Sequence, residues 1–148
     1  IEGDEKARDI LRFIGENLGA KVYVIDSADK VFYHLAAVMV CNLLSALMYT
    51  GVGVMDRINI GLEAFIPIIR ATMKNIENRG PLAALTGPIM RGDDKTVTAH
   101  LEAIRSMPLQ EEIYRALSKM ALEMAVENRA LSEDQQKTMR RILEGGDG

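Results

Sequence analysis

The longest uncharged run in the chain is the feature that most limits how it can fold. Residues Leu35–Met55 form a run of 21 amino acids without a charged side chain. A helix of this length is long enough to cross a bilayer. Polar residues and glycines interrupt the run, namely Asn42, Ser45, Tyr49, Thr50, Gly51 and Gly53. We therefore predict a long helix that is buried on all sides inside a protein with no membrane partner. A membrane span is the less favoured alternative.

The sequence before this run predicts one helix followed by one β-strand. Asp4 is a suitable N-cap, apolar residues recur at helical spacing up to Leu18, and Gly19 supplies a stop. The next residues, Lys21–Ile25 with the sequence KVYVI, are rich in β-branched and aromatic side chains, which favours a strand. Because one strand cannot form a sheet, its partner must come from a second copy or from a longer polypeptide. We expect this sequence to be a piece of such a polypeptide.

The remaining sequence predicts only helices. Asp26 or Ser27 caps the long helix, which ends near Asn59, and Pro67 lies inside the helix that follows. Later helices are predicted over about 62–78, 94–106 and 109–129. The predicted fold class is mainly α: a helical bundle around one long central helix, with one short N-terminal β-strand.

Two local patterns near the C-terminus make sharper predictions. Ser132 and Gln135 have the spacing of a capping box and should open the last helix. On the helix over 109–129, one apolar stripe predicts the buried face, and its members are Ile113, Leu117, Met120 and Met124.

Composition and charge disfavour several classes of function. The net charge of −3 provides no basic surface for nucleic acid or for an anionic membrane. Cys41 is the only cysteine, and His34 and His100 are the only histidines. We therefore predict neither a disulfide within the chain nor a metal site. The expected location is the reducing cytoplasm.

Three polar side chains on the first part of the long helix are candidates for chemistry. Lys30 and His34 are four residues apart and share one helix face. Asn42 lies two turns beyond His34, displaced by about 80° around an ideal α-helix. The three could line one side of a cleft. The alternative is that His34 and Asn42 are core residues whose hydrogen bonds are satisfied.

Thr72 and Asn75 form a second candidate pair on the following helix. They are three residues apart and can share a face. The alternative for Thr72 is a local hydrogen bond to the helix backbone, which threonine often makes.

The stretch Leu85–Asp93, LTGPIMRGD, supplies the remaining candidates. Thr86 offers a hydroxyl, Gly87 a backbone that a ligand can approach, and Arg91 a charged fork suited to carboxylate or phosphate. The alternative is helix punctuation, in which Gly92 turns the chain and an aspartate caps the next helix.

Four segments taken in order resemble one known family. The segments YHLAAVMVCNLL, RATMKNI, LAALTGPIMRGD and TVTAHL resemble the helical C-terminal domain known as domain of unknown function 2520. In that family it follows a Rossmann-like NADP-binding domain. Wider relatives are two-domain dehydrogenases such as pyrroline-5-carboxylate reductase, ketopantoate reductase and 6-phosphogluconate dehydrogenase. The resemblance implies that residues 1–26 end a nucleotide-binding domain and that residues 27–148 form an all-α substrate and dimerisation domain.

The same resemblance implies a function for the parent protein. It would be a homodimeric NAD(P)-dependent oxidoreductase that transfers hydride to a small carbonyl or imine substrate. The resemblance implies Lys30 or His34 as proton donor and Asn42 as orienting residue. It implies that the substrate-binding residues are Thr72, Asn75, Thr86, Gly87 and Arg91. NADP would be bound mainly by the missing domain, so the chain alone should be inactive. The alternative function is a non-enzymatic helical dimerisation or interaction module.

Overall fold

Residues 1–145 are described by a computed structural model, and they are predominantly helical. The α-helices are α1 Glu5–Asn17, α2 Lys30–Ala37, α3 Leu43–Met55, α4 Ile66–Ala84, α5 Pro88–Arg91, α6 Asp94–Ile104, α7 Pro108–Glu127 and α8 Glu133–Glu144. The prediction of a mainly α fold is confirmed. The chain forms two compact units, Ile1–Tyr49 and Thr50–Gly148. The division predicted at residue 26 concerns the parent protein and stays a prediction.

Helix α1 begins and ends where the sequence predicts. The Asp4 side chain accepts a hydrogen bond from the Ala7 backbone N–H at 2.8 Å, which satisfies one of the free donors of the first turn. Leu18 caps the other end, and Gly19 follows with φ 71°. Both predicted helix signals are therefore confirmed.

The predicted β-strand at Lys21–Ile25 is wrong, because the described residues 1–145 contain no strand. The backbone of this segment bonds to one residue only: the Ile1 terminal N–H group donates to the Tyr23 carbonyl, and the Ile25 N–H donates to the Ile1 carbonyl. A ladder requires several consecutive extended residues on a neighbouring segment. Strand propensity alone cannot supply that neighbour.

The long helix forms with its predicted ends, but its geometry changes along its length. A 3-10 turn at Ser27–Asp29 precedes α2, and a π-helical turn at Val38–Asn42 separates α2 from α3. A 3-10 turn, Asp56–Ile58, then leads to Asn59, which closes the run in the left-handed conformation with φ 54°. The predicted positions of both ends are confirmed, but the Asp26 side chain makes no capping hydrogen bond.

The expected burial of this helix is not found. Within residues 1–145, the run Ser27–Ile58 is long and apolar enough to cross a membrane, with a mean hydropathy of 1.9, and none of its most apolar window is buried. Val40 is 68% exposed and Tyr49 is 81% exposed. Apolar composition predicts that side chains favour burial, but it does not say which surface covers them.

In the second unit, the core lies among the last four helices. Pro67 occupies the first turn of α4, where a missing N–H costs nothing, and Gly80 breaks this helix with φ 75° and ψ 160°. The buried core residues come from α5 to α8 and the α7–α8 connection: Ile89, Val97, Leu101, Leu122, Ala125, Leu131, Met139 and Leu143. Burying each of the larger side chains contributes roughly 1.5–3 kcal/mol. The capping box of Ser132 and Gln135 opens α8 as predicted.

The predicted buried face of α7 is wrong. Its buried residues are Ser118, Leu122 and Ala125. Leu117 is 49% exposed and Met120 is 63% exposed, although both belong to the predicted apolar stripe. The spacing of the observed face is also helical, but Ser118 and Ala125 are too small or too polar to mark it in the sequence.

Candidate functional site

Two backbone hydrogen bonds hold the first residue of the chain against residues 23–25. Ile1 donates to the Tyr23 carbonyl at 2.6 Å, and its own carbonyl accepts from the Ile25 N–H at 3.2 Å. Ile1 and Ile25 therefore lie next to each other at the start of the chain.

Lys30 lies beside Ile1 and Ile25. A cavity of about 340 Å³ is lined by Ile1, Glu2, Ile25 and Lys30. The Lys30 Nζ atom is 2.5 Å from Glu2 Oε2, and the Ser27 hydroxyl donates to Glu2 Oε1 at 3.3 Å. The hydrogen bond from Lys30 is the main cause that holds the pKa of the Glu2 carboxyl below its ordinary value. The predicted site residue Lys30 is thus in an ion pair at the mouth of a cavity.

His34 and Asn42 are exposed on the same helical run. The π-helical turn that ends at Asn42 changes the register expected from an ideal α-helix. A π turn holds about one residue more than an α turn, so one turn of each kind takes up about eight residues. His34 and Asn42 are eight residues apart, and Lys30 is one α turn before His34. The π turn therefore places Lys30, His34 and Asn42 on nearly the same face of the helix, instead of displacing Asn42 by about 80°.

Thr72 and Asn75 are both exposed on α4. The Thr72 hydroxyl donates to the Ile68 carbonyl at 2.9 Å. This is the local backbone contact that the alternative interpretation predicts. The Thr72 oxygen keeps its capacity to accept a further hydrogen bond.

The stretch Leu85–Asp93 separates helices and also contributes one side chain to the core. Gly87 has φ 104°, a value that favours glycine, and Gly92 ends α5 in the left-handed conformation with φ 65°. Between them Ile89 is only 7% exposed and belongs to the core of the second unit. Thr86 is exposed. The Arg91 side chain is 65% exposed, and its Nη2 atom is 3.9 Å from Asp93 Oδ2.

A polar cluster next to this stretch links α6 to α7. His100 Nδ1 is 2.9 Å from the Tyr114 hydroxyl, and the two rings meet edge to face with 5.8 Å between their centroids. Burial raises the pKa of Tyr114, and a hydrogen bond with Ser118 acts in the opposite direction. Hydrogen bonds from Thr96 lower the pKa of Asp93, with smaller contributions from the charges of Arg91 and His100.

Two of these polar contacts were missed by the sequence analysis. Glu2 and Lys30 are 28 positions apart, and His100 and Tyr114 lie on different helices. Spacing within one helix carries no signal for such pairs. Glu2 lies two residues before Asp4, the N-cap of α1, and this position indicates a contact with Lys30 only if the two segments are already known to be adjacent. Among residues 1–145, no group of three or more metal-ligating side chains is found.

The chain is similar to a known protein family and to a known structure. A family model described as "Domain of unknown function (DUF2520)" matches residues 1–121. The chain is similar to the crystal structure of a protein from Bacteroides fragilis described as a "putative NADP oxidoreductase", with 28% sequence identity and a TM-score of 0.64. The similarity covers 70% of this chain and 40% of the other, so this chain spans less than half of that protein. No curated protein matches.

Proposed function

Because the chain belongs to the family described as domain of unknown function DUF2520, we propose that it is the C-terminal part of an NAD(P)-dependent oxidoreductase. In this proposal it supplies cleft residues for hydride transfer to a small carbonyl or imine substrate. The name of the similar Bacteroides fragilis protein supports this class of reaction. The position of Lys30 in an ion pair at a cavity is the observation that carries the proposal.

A nucleotide-binding domain upstream would supply the cofactor site. The chain covers 40% of the similar Bacteroides fragilis protein, so more than half of that protein lies outside the similarity. The cavity that contains Glu2 and Lys30 is also lined by Ile1 and Ile25, so it lies beside the segment that would join such a domain.

The face that carries Lys30, His34 and Asn42 would supply the chemistry of this chain. Reduction of a carbonyl or imine requires a proton donor within hydrogen-bond reach of the reacting group. Lys30 or His34 would donate that proton, and the Asn42 amide would orient the substrate. The π turn supports this assignment because it aligns the three residues along the helix.

The second group of residues would bind the substrate rather than react with it. The exposed Arg91 fork suits an acidic group of the substrate, and the Thr86 hydroxyl and Gly87 backbone lie on the same short segment. Thr72 and Asn75 would contribute a hydroxyl oxygen and an amide from α4.

NADP would be held mainly by residues outside this sequence. Gly51 and Gly53 lie within α3 and not in a loop after a strand, so they do not fit the dinucleotide-binding fingerprint. When bound, the cofactor supplies the hydride. The part played by this chain would be to exclude water from the site, to position the substrate and to hold the proton donor. Hence we expect the chain alone to be inactive.

Calorimetry with NADPH tests the proposal. The full-length protein should bind NADPH, and a protein of residues 1–148 should give no measurable heat of binding. Absence of nicotinamide affinity in the full-length protein would overturn the oxidoreductase assignment. A fluorescence titration of NADPH under the same conditions provides an independent measurement.

The exposed apolar side chains of the long helix favour a partner for this chain. Solvent-exposed apolar patches of this kind mark interfaces, and the exposed fractions of Val40 and Tyr49 are large. We propose a second copy of the chain as that partner, in a cytoplasmic homodimer. If this is the only role, the protein is an interaction module and not an enzyme. A membrane is the remaining alternative, and solubility without detergent would exclude it.

A further inference from the structure

We propose that Glu2 is a positioning residue that fixes the side chain of Lys30 at the cleft. This inference rests on the proposed oxidoreductase function, because it concerns the geometry of one of the two candidate proton donors. Glu2 is not among the site residues predicted from the sequence. Its role would be exerted through Lys30 and not through direct contact with the substrate.

The contacts of Glu2 hold both oxygens of its carboxylate. Oε2 is buried and lies 2.5 Å from Lys30 Nζ, while Oε1 accepts from the Ser27 hydroxyl at 3.3 Å. The Glu2 side chain is 30% exposed, compared with 60% for Lys30. Glu2 is thus the less exposed partner of the pair, and both side chains line the cavity.

The backbone on either side of Glu2 restricts where this carboxylate can go. Ile1 is bonded to Tyr23 and Ile25, and Asp4 caps α1 through the Ala7 N–H. Glu2 lies between these two attachments. Its carboxylate is therefore presented from a segment that is held at both ends.

This restriction matters because a lysine side chain is long and mobile. A free lysine loses about 1.5–2 kcal/mol of rotamer entropy when it is ordered. An isolated surface ion pair often fails to offset that cost. Here the carboxylate is itself held by Ser27 and the backbone, so less freedom remains to be lost when Lys30 binds it. Glu2 would thereby keep the ammonium group at the cavity before a substrate arrives.

A simpler role for the pair would be a structural tether between the N-terminal segment and the start of α2. Both roles predict some loss of thermal stability when Glu2 is changed. The positioning role requires, in addition, a change in the order and reactivity of the Lys30 side chain that a chemically similar acid reverses.

The experiment compares Glu2→Gln with Glu2→Asp in the full-length protein. Nuclear magnetic resonance relaxation of ¹³C-labelled lysine measures the order of the Lys30 ε-carbon, and acetic anhydride labelling with peptide mass spectrometry measures its reactivity. In Glu2→Gln we expect a more mobile ε-carbon and a rise in Lys30 acetylation of roughly two- to fivefold, the size expected when a weak ion pair is lost. Glu2→Asp, which keeps the carboxylate, should give an ε-carbon order and a Lys30 acetylation rate between those of Glu2→Gln and the wild type.

The matched control is Glu102→Gln, which removes the ion pair of Glu102 with Arg105 at 3.3 Å on α6. It should leave Lys30 unchanged. If Glu2→Gln alters only the thermal midpoint and leaves the Lys30 measurements at wild-type values, the positioning role is overturned. This failure is separate from that of the proposed function, because absence of NADPH affinity contradicts the oxidoreductase assignment whatever Lys30 does.

Discussion

Asp93 binds Thr96 through both of its carboxylate oxygens. Oδ1 accepts from the Thr96 backbone N–H at 3.1 Å, and Oδ2 accepts from the Thr96 hydroxyl at 2.7 Å. The first bond is the N-cap of α6, and the second fixes the rotamer of the capping side chain. One aspartate thus joins the LTGPIMRGD stretch to the helix that follows it.

Removal of this cap should destabilise the second unit. Asp93→Ala leaves the Thr96 backbone N–H without its side-chain acceptor, so we expect a lower thermal midpoint. Asp93→Asn should lower it less, because asparagine also caps helices. Circular dichroism melts measure both, and equal losses in the two variants would contradict the capping role.

The charge of Asp93 should make this stabilisation depend on pH. Its pKa is below the ordinary value of 3.8 in the folded protein, chiefly because of the Thr96 hydrogen bonds. The stabilising contribution is therefore fully present above pH 3.8 and is lost as the pH falls through the lower folded value. The stability difference between wild type and Asp93→Asn should shrink over that acid range.

Truncation of Leu122 should have a larger effect on stability than truncation of an exposed leucine on the same helix. This side chain is 1% exposed and lies in the core of the second unit. Leu122→Ala should lower the free energy of unfolding by about 2–5 kcal/mol through lost burial and a residual cavity. Urea denaturation measures this value. Leu117→Ala, on the same helix at 49% exposure, is the matched control and should cost clearly less.

These two leucines illustrate what the sequence could and could not predict. Capping residues such as Asp4, Asn59 and Ser132 act within about four positions, so their signals are local and were read correctly. Burial of a helix face depends on what packs against it. Leu117 is exposed although it belongs to an apolar stripe, and Ser118 is buried although it is polar. The sequence of α7 alone does not show which of its faces is buried.

Removal of the Tyr114 hydroxyl should alter the alkaline limit of stability. Burial raises the pKa of Tyr114 above the ordinary 10.0. The folded state therefore holds this proton more tightly, and stability falls as the pH rises from 10.0 through the raised value. Tyr114→Phe should weaken that fall, and urea denaturation of both proteins at alkaline pH measures it. Tyr23→Phe, at a 62% exposed position, is the control for loss of a phenol hydroxyl.

A charge on the long helix should break the proposed homodimer. Val40 is 68% exposed, so Val40→Glu is tolerated in a monomer but buries an unpaired carboxylate in an apolar interface. Light scattering after gel filtration should show a shift to monomer. Val40→Ile keeps the apolar surface and should remain dimeric. A dimer that survives Val40→Glu would exclude this face as the interface.

Substitution of His34 should distinguish the enzymatic function from the alternative of a non-enzymatic interaction module. If His34 donates the proton, His34→Ala should reduce NADPH oxidation by the full-length protein by roughly 10²–10⁴-fold. Arg91→Ala should weaken substrate binding, and both variants should keep the wild-type oligomer size. Variants that change the oligomer without changing turnover would favour the non-enzymatic alternative.

The candidate site was only partly predictable from the sequence. The spacing of Lys30 and His34 on one face follows from the α-helical period. The alignment of Asn42 depends on a π turn, which no residue in Val38–Asn42 signals on its own. The predicted strand at Lys21–Ile25 is wrong for a related reason, because a strand needs a neighbouring extended segment and, within residues 1–145, the backbone of this segment bonds only to Ile1.

The turn at Gly92 has a consequence for a distant part of the chain. A methyl group on Gly92 would collide with the amide of Gln135 and press on Leu131, in addition to straining the left-handed backbone. Gln135 is the residue whose side chain completes the capping box of α8. A side chain at position 92 would therefore have to displace the Gln135 amide, so the turn that ends α5 and the cap that begins α8 depend on each other.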